Sequence, residues 1–212
     1  MKPASAEARP YHHGDLRRAL IDAALSLVTE EQDWSFSLRE VARRAGVSHN
    51  APYNHFPEKR DLLGAVAAVG FEKLLGRMLD ALGETGTPDA ALGAVARAYL
   101  RFAIDNPALY RLMFGPALAE GNLPRLATAL AAGAEARAVL EDIIRTGAGS
   151  GVFSVDPEDR AALERATLTC WSAVHGLASL VMDAKAESAQ PLDDLADGLI
   201  RLLLNGLRRR SA

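Results

Sequence analysis

"SLREVARRAGVSHNAPYNHFPEKRDLL", residues 37–63, is the stretch from which the fold can be read. Ser37 stands three residues before Glu40, a capping-box pair that opens a helix running to about Ala45. Gly46 supplies the left-handed residue that ends it. Val47 plugs the corner, and Ser48 is placed to cap the next helix. Ala42 lies four residues before Gly46 on the inner face, where steeply crossed helices need close approach. Val41, Ala45 and Val47 complete an apolar corner and leave Arg39, Arg43 and Arg44 outside. A two-turn helix, a glycine-containing turn and a second short helix make helix-turn-helix grammar. Taken alone, the fragment also fits an ordinary helical hairpin inside a core.

Pro52 complicates the second helix. It has no N–H and crowds the carbonyl four residues back, which is that of Ser48. It also biases Ala51 away from helical torsions. Either the helix begins late, with Asn50 as its cap and Pro52 in its first turn, or it begins at Ser48 with a tightened first turn. In both cases the proline stiffens this end and leaves Ser48, His49 and Asn50 displayed ahead of it.

Outward from this stretch, "LRRALIDAALSLV" places Leu16, Ala19, Leu20, Ala23, Ala24 and Leu27 on one helical stripe. Trp34 and Phe36 fall in the following loop as core plugs, with the turn expected through Asp33. The 212 residues suit one large domain or two small ones, and 49% of them are apolar, a well-cored rather than disordered composition. Residues 1–60 hold nine Lys/Arg against eight Asp/Glu, and residues 61–212 fifteen against nineteen. A mildly basic head on an acidic body permits a small, focused DNA-binding surface. Cys170 is the single cysteine, so no internal disulfide forms and a reducing compartment is expected. With neither a signal-peptide core nor a membrane-length apolar run, a soluble cytoplasmic protein without membrane association is expected.

Residues 37–63 resemble the TetR family of bacterial transcriptional regulators. The matching positions are Ala45, Gly46, Val47, Ser48, Tyr53, His55, Phe56, Lys59, Leu62 and Leu63, within a resemblance covering residues 12–65. "YHHGDLR" and "WSAVHGLASL" (171–180) look like one subgroup of that family, marked by a Trp-x-x-x-His-Gly motif. Pro52 departs from the pattern, which has a branched or long aliphatic residue there. The resemblance implies an all-α fold of about nine helices. It would divide into an arm and helix-turn-helix DNA-binding domain over 1–58, and a helical effector-binding and dimerisation domain over 59–212. It also implies a regulator of the repressor kind, which a small molecule releases from a palindromic operator.

A recognition helix turns its N-terminal residues to base edges. His49 and Asn50 are therefore the base-contact candidates, and the Ala51 methyl suits thymine. Tyr53 and His55 suit phosphate oxygens. Lys59 opens the next helix, where an ammonium and backbone N–H groups can share a phosphate. By resemblance, these three are the usual backbone contacts of the family. Ser48 completes the edge, and Arg39 can reach the same strand. Tyr11, His12 and His13 lack a carboxylate or cysteine partner at ligand spacing, so no metal or cofactor is expected. With Lys2 and Arg9 they read as an arm grazing DNA, or as disorder.

In the body, helices are expected over 59–82, 89–106, 107–114, from the 115–124 loop to about Thr146, and near 157–184 and 191–209. The last two carry apolar residues around most of their circumference. A partner subunit is the simplest cover, with Leu177, Leu180, Val181, Leu199 and Leu203 at a homodimer seam. Tyr99, Phe102, Tyr110, Met113, Phe114, Trp171 and His175 fall on the helices that line effector pockets in the family. Mostly apolar walls with a few polar tips describe a small-molecule site, although each residue singly also fits a core role. Two other readings stay open: a helical carrier or enzyme using His175 as base, and a DNA-binding dimer without an effector.

Overall fold

A computed structural model of the chain describes residues 13–83, 85–115, 127–183 and 190–208. Those residues form eight α-helices and one 3-10 turn: α1 (His13–Glu31), α2 (Leu38–Arg44), the Ala51–Asn54 turn, α3 (Lys59–Leu82), α4 (Pro88–Asp105), α5 (Pro107–Phe114), α6 (Ala127–Gly149), α7 (Arg160–Met182) and α8 (Leu192–Leu207). The all-α expectation holds. Among the described residues no helix is long and apolar enough to cross a membrane.

The head matches the sequence closely at most points. Leu16, Leu20, Ala23, Ala24 and Leu27 of the α1 stripe are buried, joined by Ile21 and Val28, while Ala19 sits half-buried at its border. Helix α1 ends without glycine: Gln32, not Asp33, takes the left-handed torsion at φ 58°. Asp33 instead accepts from Ser35 N at 2.8 Å. Ser37 caps α2 through Glu40 N at 3.2 Å. The reciprocal half of the capping box is replaced, because the Glu40 carboxylate turns outward to Arg43 at 3.1 Å. Gly46 has φ +69°, the torsion expected of it.

The second element of the motif is a single 3-10 turn rather than an α-helix, and Pro52 explains this. The missing proline N–H leaves no 52→48 bond. In its place the chain closes three-residue bonds: Ala51 N to Ser48 O at 2.9 Å, Tyr53 N to Asn50 O at 3.3 Å and His55 N to Pro52 O at 3.0 Å. Asn50 is the N-cap, as in the late-start alternative, but its side chain makes no capping bond. Pro52 is itself buried, so it serves the core as well as stiffening the turn.

Helix α3 opens as expected at Lys59, with Asp61 Oδ2 accepting from Glu58 N at 2.9 Å. It runs 24 residues from head to body. Its early residues Leu62, Leu63 and Val66 close the head core, and Phe71, Leu74 and Met78 face the body. One apolar cluster is thereby continuous through both, which stabilises a head too small to hold itself together well. In the body α3 packs on α4 and α6, and α4 packs on α7 and α8. Three ion pairs fix α8 on α4: Arg97–Asp197 at 2.6 Å, Arg101–Asp193 at 2.9 Å and Arg208 with Asp89.

The glycine-rich segment after α6 does more than break it. Gly147 and Gly149 remain helical, three residues past the expected end. Phe153 then folds back and is buried directly against Gly147, where an added Cβ would fall inside the phenyl ring's van der Waals envelope. Ser154 N and Oγ both donate to Leu207 O, at 2.6 and 2.9 Å, pinning the end of α8. Gly147→Val is expected to lower unfolding stability by about 1–3 kcal/mol through overpacking, read as a reduced urea midpoint. An unchanged midpoint would mean that the ring is free to leave its seat.

Candidate functional site

Two places gather the residues singled out in sequence. The first is the exposed end of the helix-turn-helix. Arg44 clamps α2 to α1, donating to Glu30 at 2.7 and 2.5 Å and to Ser26 at 3.1 Å. The Arg44 hydrogen bond holds the Glu30 carboxyl down at about 2 and raises the guanidinium in turn. Below them Phe36 and Phe56 are buried, the latter under the Arg17 guanidinium at 5.4 Å. On this frame Ser48, His49 and Asn50 stand exposed, and Arg39 is exposed beside them on α2. Ala51 and His55 are half-buried, and Tyr53 is 46% exposed. The Lys59 ammonium lies 5.0 Å from the Phe36 ring centroid. Desolvation there pushes it below the ordinary lysine range, against the opposing field of Asp33. Tyr11, His12, Lys2 and Arg9 lie outside the described residues. Among the described residues no cluster of His, Cys, Asp or Glu could hold a metal ion.

The second place is a cavity of about 470 Å³ between α3, α4, α6 and α7, within the usual range for small-molecule sites. Tyr99, Met113, Phe114 and Trp171 line it, as the sequence suggested. Phe102, Tyr110 and His175 do not. Phe102 is buried in the core, and Tyr110 and His175 form a layer behind Tyr99. Helical spacing places all these residues on the right helices, but it does not separate a residue facing a void from one packed a layer deeper. The sequence reading also missed Arg137 and Cys170 in the wall, along with Leu92, Val95 and the small residues Gly133 and Ala136. For the α6 residues the signal was "AAGAEARA", whose run of small side chains opens space opposite Phe71.

The layer behind the cavity is a hydrogen-bonded chain. Trp171 Nε1 donates to Tyr99 Oη at 3.3 Å. Tyr99 Oη lies 2.9 Å from Tyr110 Oη, and Tyr110 Oη lies 2.6 Å from His175 Nδ1. Burial pushes Tyr99 up to about 12 and raises Tyr110 further, so both hydroxyls keep their protons. Desolvation lowers His175, so a neutral ring accepts at Nδ1 the proton that Tyr110 donates. The ring stacks on Tyr110 and meets Phe114 edge-on at 4.8 Å. Burial pushes the Cys170 thiol to about 11, which leaves little reactive thiolate at neutral pH.

This arrangement carries a pH dependence. Because His175 is depressed in the folded chain, the unfolded chain binds its proton first as pH falls. Stability is therefore complete above about pH 6.5 and declines as pH drops through the lowered folded value. The melting temperature should fall between pH 7.5 and 5.5. His175→Asn, whose amide oxygen can still accept from Tyr110, should flatten that fall. Equal slopes in both proteins would remove His175 as its source.

Comparison with known proteins agrees with this architecture. A family sequence model described as "Bacterial regulatory proteins, tetR family" matches residues 20–66, and one described as "Tetracyclin repressor-like, C-terminal domain" matches residues 92–203. The uncharacterized HTH-type transcriptional regulator YobS of Bacillus subtilis is 30% identical over 97 residues, which is 46% of this chain and 50% of that protein. The HTH-type transcriptional regulator BetI of Rhizobium meliloti is 30% identical over 117 residues, 52% of this chain and 56% of that one. The chain thus spans about half the length of the curated relatives it matches. A solved protein of unknown function from Rhodococcus sp. RHA1 is 31% identical with TM-score 0.78, over 95% of this chain and 100% of that one. The transcriptional regulator FadR of Bacillus subtilis, solved with stearoyl-CoA, shares the fold at TM-score 0.68 and 19% identity, over 89% of this chain and 98% of that one. With the two family models together spanning the helix-turn-helix and more than half of the chain, the chain belongs to the TetR family of bacterial regulatory proteins.

Proposed function

We propose that the protein is a homodimeric repressor that leaves a palindromic operator when a small molecule enters the cavity. The observation that carries this reading is α5. It packs on both α1 and α3 of the head, while its Met113 and Phe114 form cavity wall. Its seat on α3 is tight, since a Cβ added at Gly70 would lie 2.6 Å from Met113 Sδ. A ligand that favours a shifted α5 thereby favours a shifted head, and operator affinity falls by the differential affinity of the ligand for the two states. Residues 1–58 are read as the DNA-binding unit, with His49, Asn50 and Ala51 on bases and Ser48, Tyr53, His55 and Arg39 on the backbone, joined by Lys59 at the start of α3. Lys59 would have to swing from Phe36 to phosphate.

Dimerisation is assigned to α7 and α8 within residues 59–212. Leu168, Leu180 and Leu202 stand exposed on them, with Leu177, Val181, Leu199 and Leu203 half-buried alongside. A two-fold four-helix seam covers these residues and sets two heads about one DNA turn, ~34 Å, or a multiple apart. Two groups argue against an enzyme: the His175 Nδ1, in the layer behind the cavity, is engaged by Tyr110, and the Cys170 thiol in the cavity wall is held protonated. Gel-shift titration against the DNA flanking its own gene, with salt varied, tests the reading. A shift that weakens steeply with salt is expected, and no shift at low salt overturns it.

A further inference from the structure

We infer that the cavity takes a compact anionic amphiphile, its apolar body enclosed and a single carboxylate-like group held at the opening by Arg137. The inference rests on the ligand-site reading of the cavity and specifies its chemistry.

Three observations converge on the charge. Leu130, Ala134 and Arg137 recur along one face of α6, line the cavity and are also exposed, so the cavity opens along that face. Most body arginines are paired, including Arg77, Arg97, Arg101, Arg111, Arg145, Arg165 and Arg208. Arg137 has a carboxylate four residues on, at Glu141, the spacing at which helical ion pairs form. Glu141 instead pairs with Arg145, which also takes Asp142 at 2.6 Å. Among the described residues Arg137 is thus left without an acidic partner at the edge of an apolar chamber. Its guanidinium is a rigid fork suited to a planar carboxylate.

The inner end specifies the rest of the ligand. Its polar groups there are already committed: the Trp171 N–H is given to Tyr99, and the Tyr99 hydroxyl is drawn into the chain that ends on His175. A second polar group carried deep into the cavity would therefore lose its water with little in exchange. Leu74, Met78, Leu92, Val95 and Leu140 supply an apolar sleeve. A cation at the opening would face Arg137 unscreened by any carboxylate in the wall. Charge outward and hydrocarbon inward is the orientation that satisfies both ends.

Decanoate, 1-decanol and decyltrimethylammonium serve as probes of equal chain length, titrated into the full chain by calorimetry and thermal shift. Decanoate should bind saturably and at least about tenfold more tightly than the other two, the difference a charge-assisted bond supplies. Arg137→Gln should erase that preference while leaving decanol binding unchanged. Ala96→Leu, which fills the wall from α4, should weaken all binding. Decanol binding as tightly as decanoate, indifference to Arg137→Gln, or no binding of decanoate each overturns the inference. Gel shifts on the same preparations separate it from the regulator reading. Arg137-dependent decanoate binding without any DNA shift would overturn the regulator alone. DNA binding together with a charge-indifferent cavity would overturn the ligand class alone.

Discussion

Replacing His49 and Asn50 together by alanine is expected to reduce operator affinity by at least about 30-fold, since each good base-edge pairing is worth roughly 1–3 kcal/mol of discrimination. Both side chains are exposed, on a backbone stiffened by Pro52 and supported by the Arg44–Glu30 clamp. Little else in the fold depends on them, so far-ultraviolet circular dichroism and the melting temperature should stay put. The salt dependence should also keep its slope, because neither substitution removes a phosphate contact. Tyr53→Phe with Lys59→Gln should do the opposite, weakening binding to all sequences alike and flattening the slope. Gel shifts on operator and on scrambled DNA at two salt concentrations distinguish these signatures. Equal losses on both DNAs from the alanine pair would move base reading away from residues 49 and 50.

The other large effect is expected at Leu202, which is 72% exposed on a helix whose inner face is fixed to α4 by ion pairs. A two-fold seam counts each substitution twice. Burying one leucine is worth roughly 1.5–3 kcal/mol, so Leu202→Asp should weaken dimerisation by more than about 100-fold, with the desolvation of two aspartates adding to the loss. Sedimentation at micromolar concentration should show the variant as monomer and the parent as dimer. Helix content should match between them, because Leu202 contributes little to the protomer's own core. Operator binding should fall with dimerisation, since one head alone engages one half-site. A variant that sediments as the parent does would place the seam elsewhere.

The parts of the fold legible in the sequence are those fixed by local chemistry. Ser37 and Gly46 mark ends that the structure keeps, because caps and forced torsions act within a few residues. Pro52 was legible as a disturbance, but its outcome depended on where the Pro52 ring would lodge. The missing N–H is a local fact, but that the ring is buried in the core is a tertiary one. The cavity was less readable. Tyr99 and Phe102 are three apart on α4, and only the position of α6 decides that one meets open space and the other the core. Arg137 escaped notice because an arginine in an alanine-rich helix reads as a solvated charge. It acquires a different meaning only when Glu141 is seen to turn toward Arg145. The apolar circumference of α7 and α8 is recorded in the sequence itself, but of the seam residues named from it only Leu180 is exposed, and the exposed Leu168 and Leu202 were not among them.

Helix α3 spans 24 residues without a break, about 36 Å at 1.5 Å per residue. Such a rod converts angle into distance: a tilt of about 5° at its body end carries the far end by roughly 3 Å. Under the proposed mechanism, displacement on that scale misaligns a hydrogen bond with a base edge, while at Gly70, midway along the rod where α3 meets α5, the same tilt moves the helix only about half as far. The protein can therefore keep a well-packed interior throughout its response, with amplitude supplied by leverage rather than by loosening.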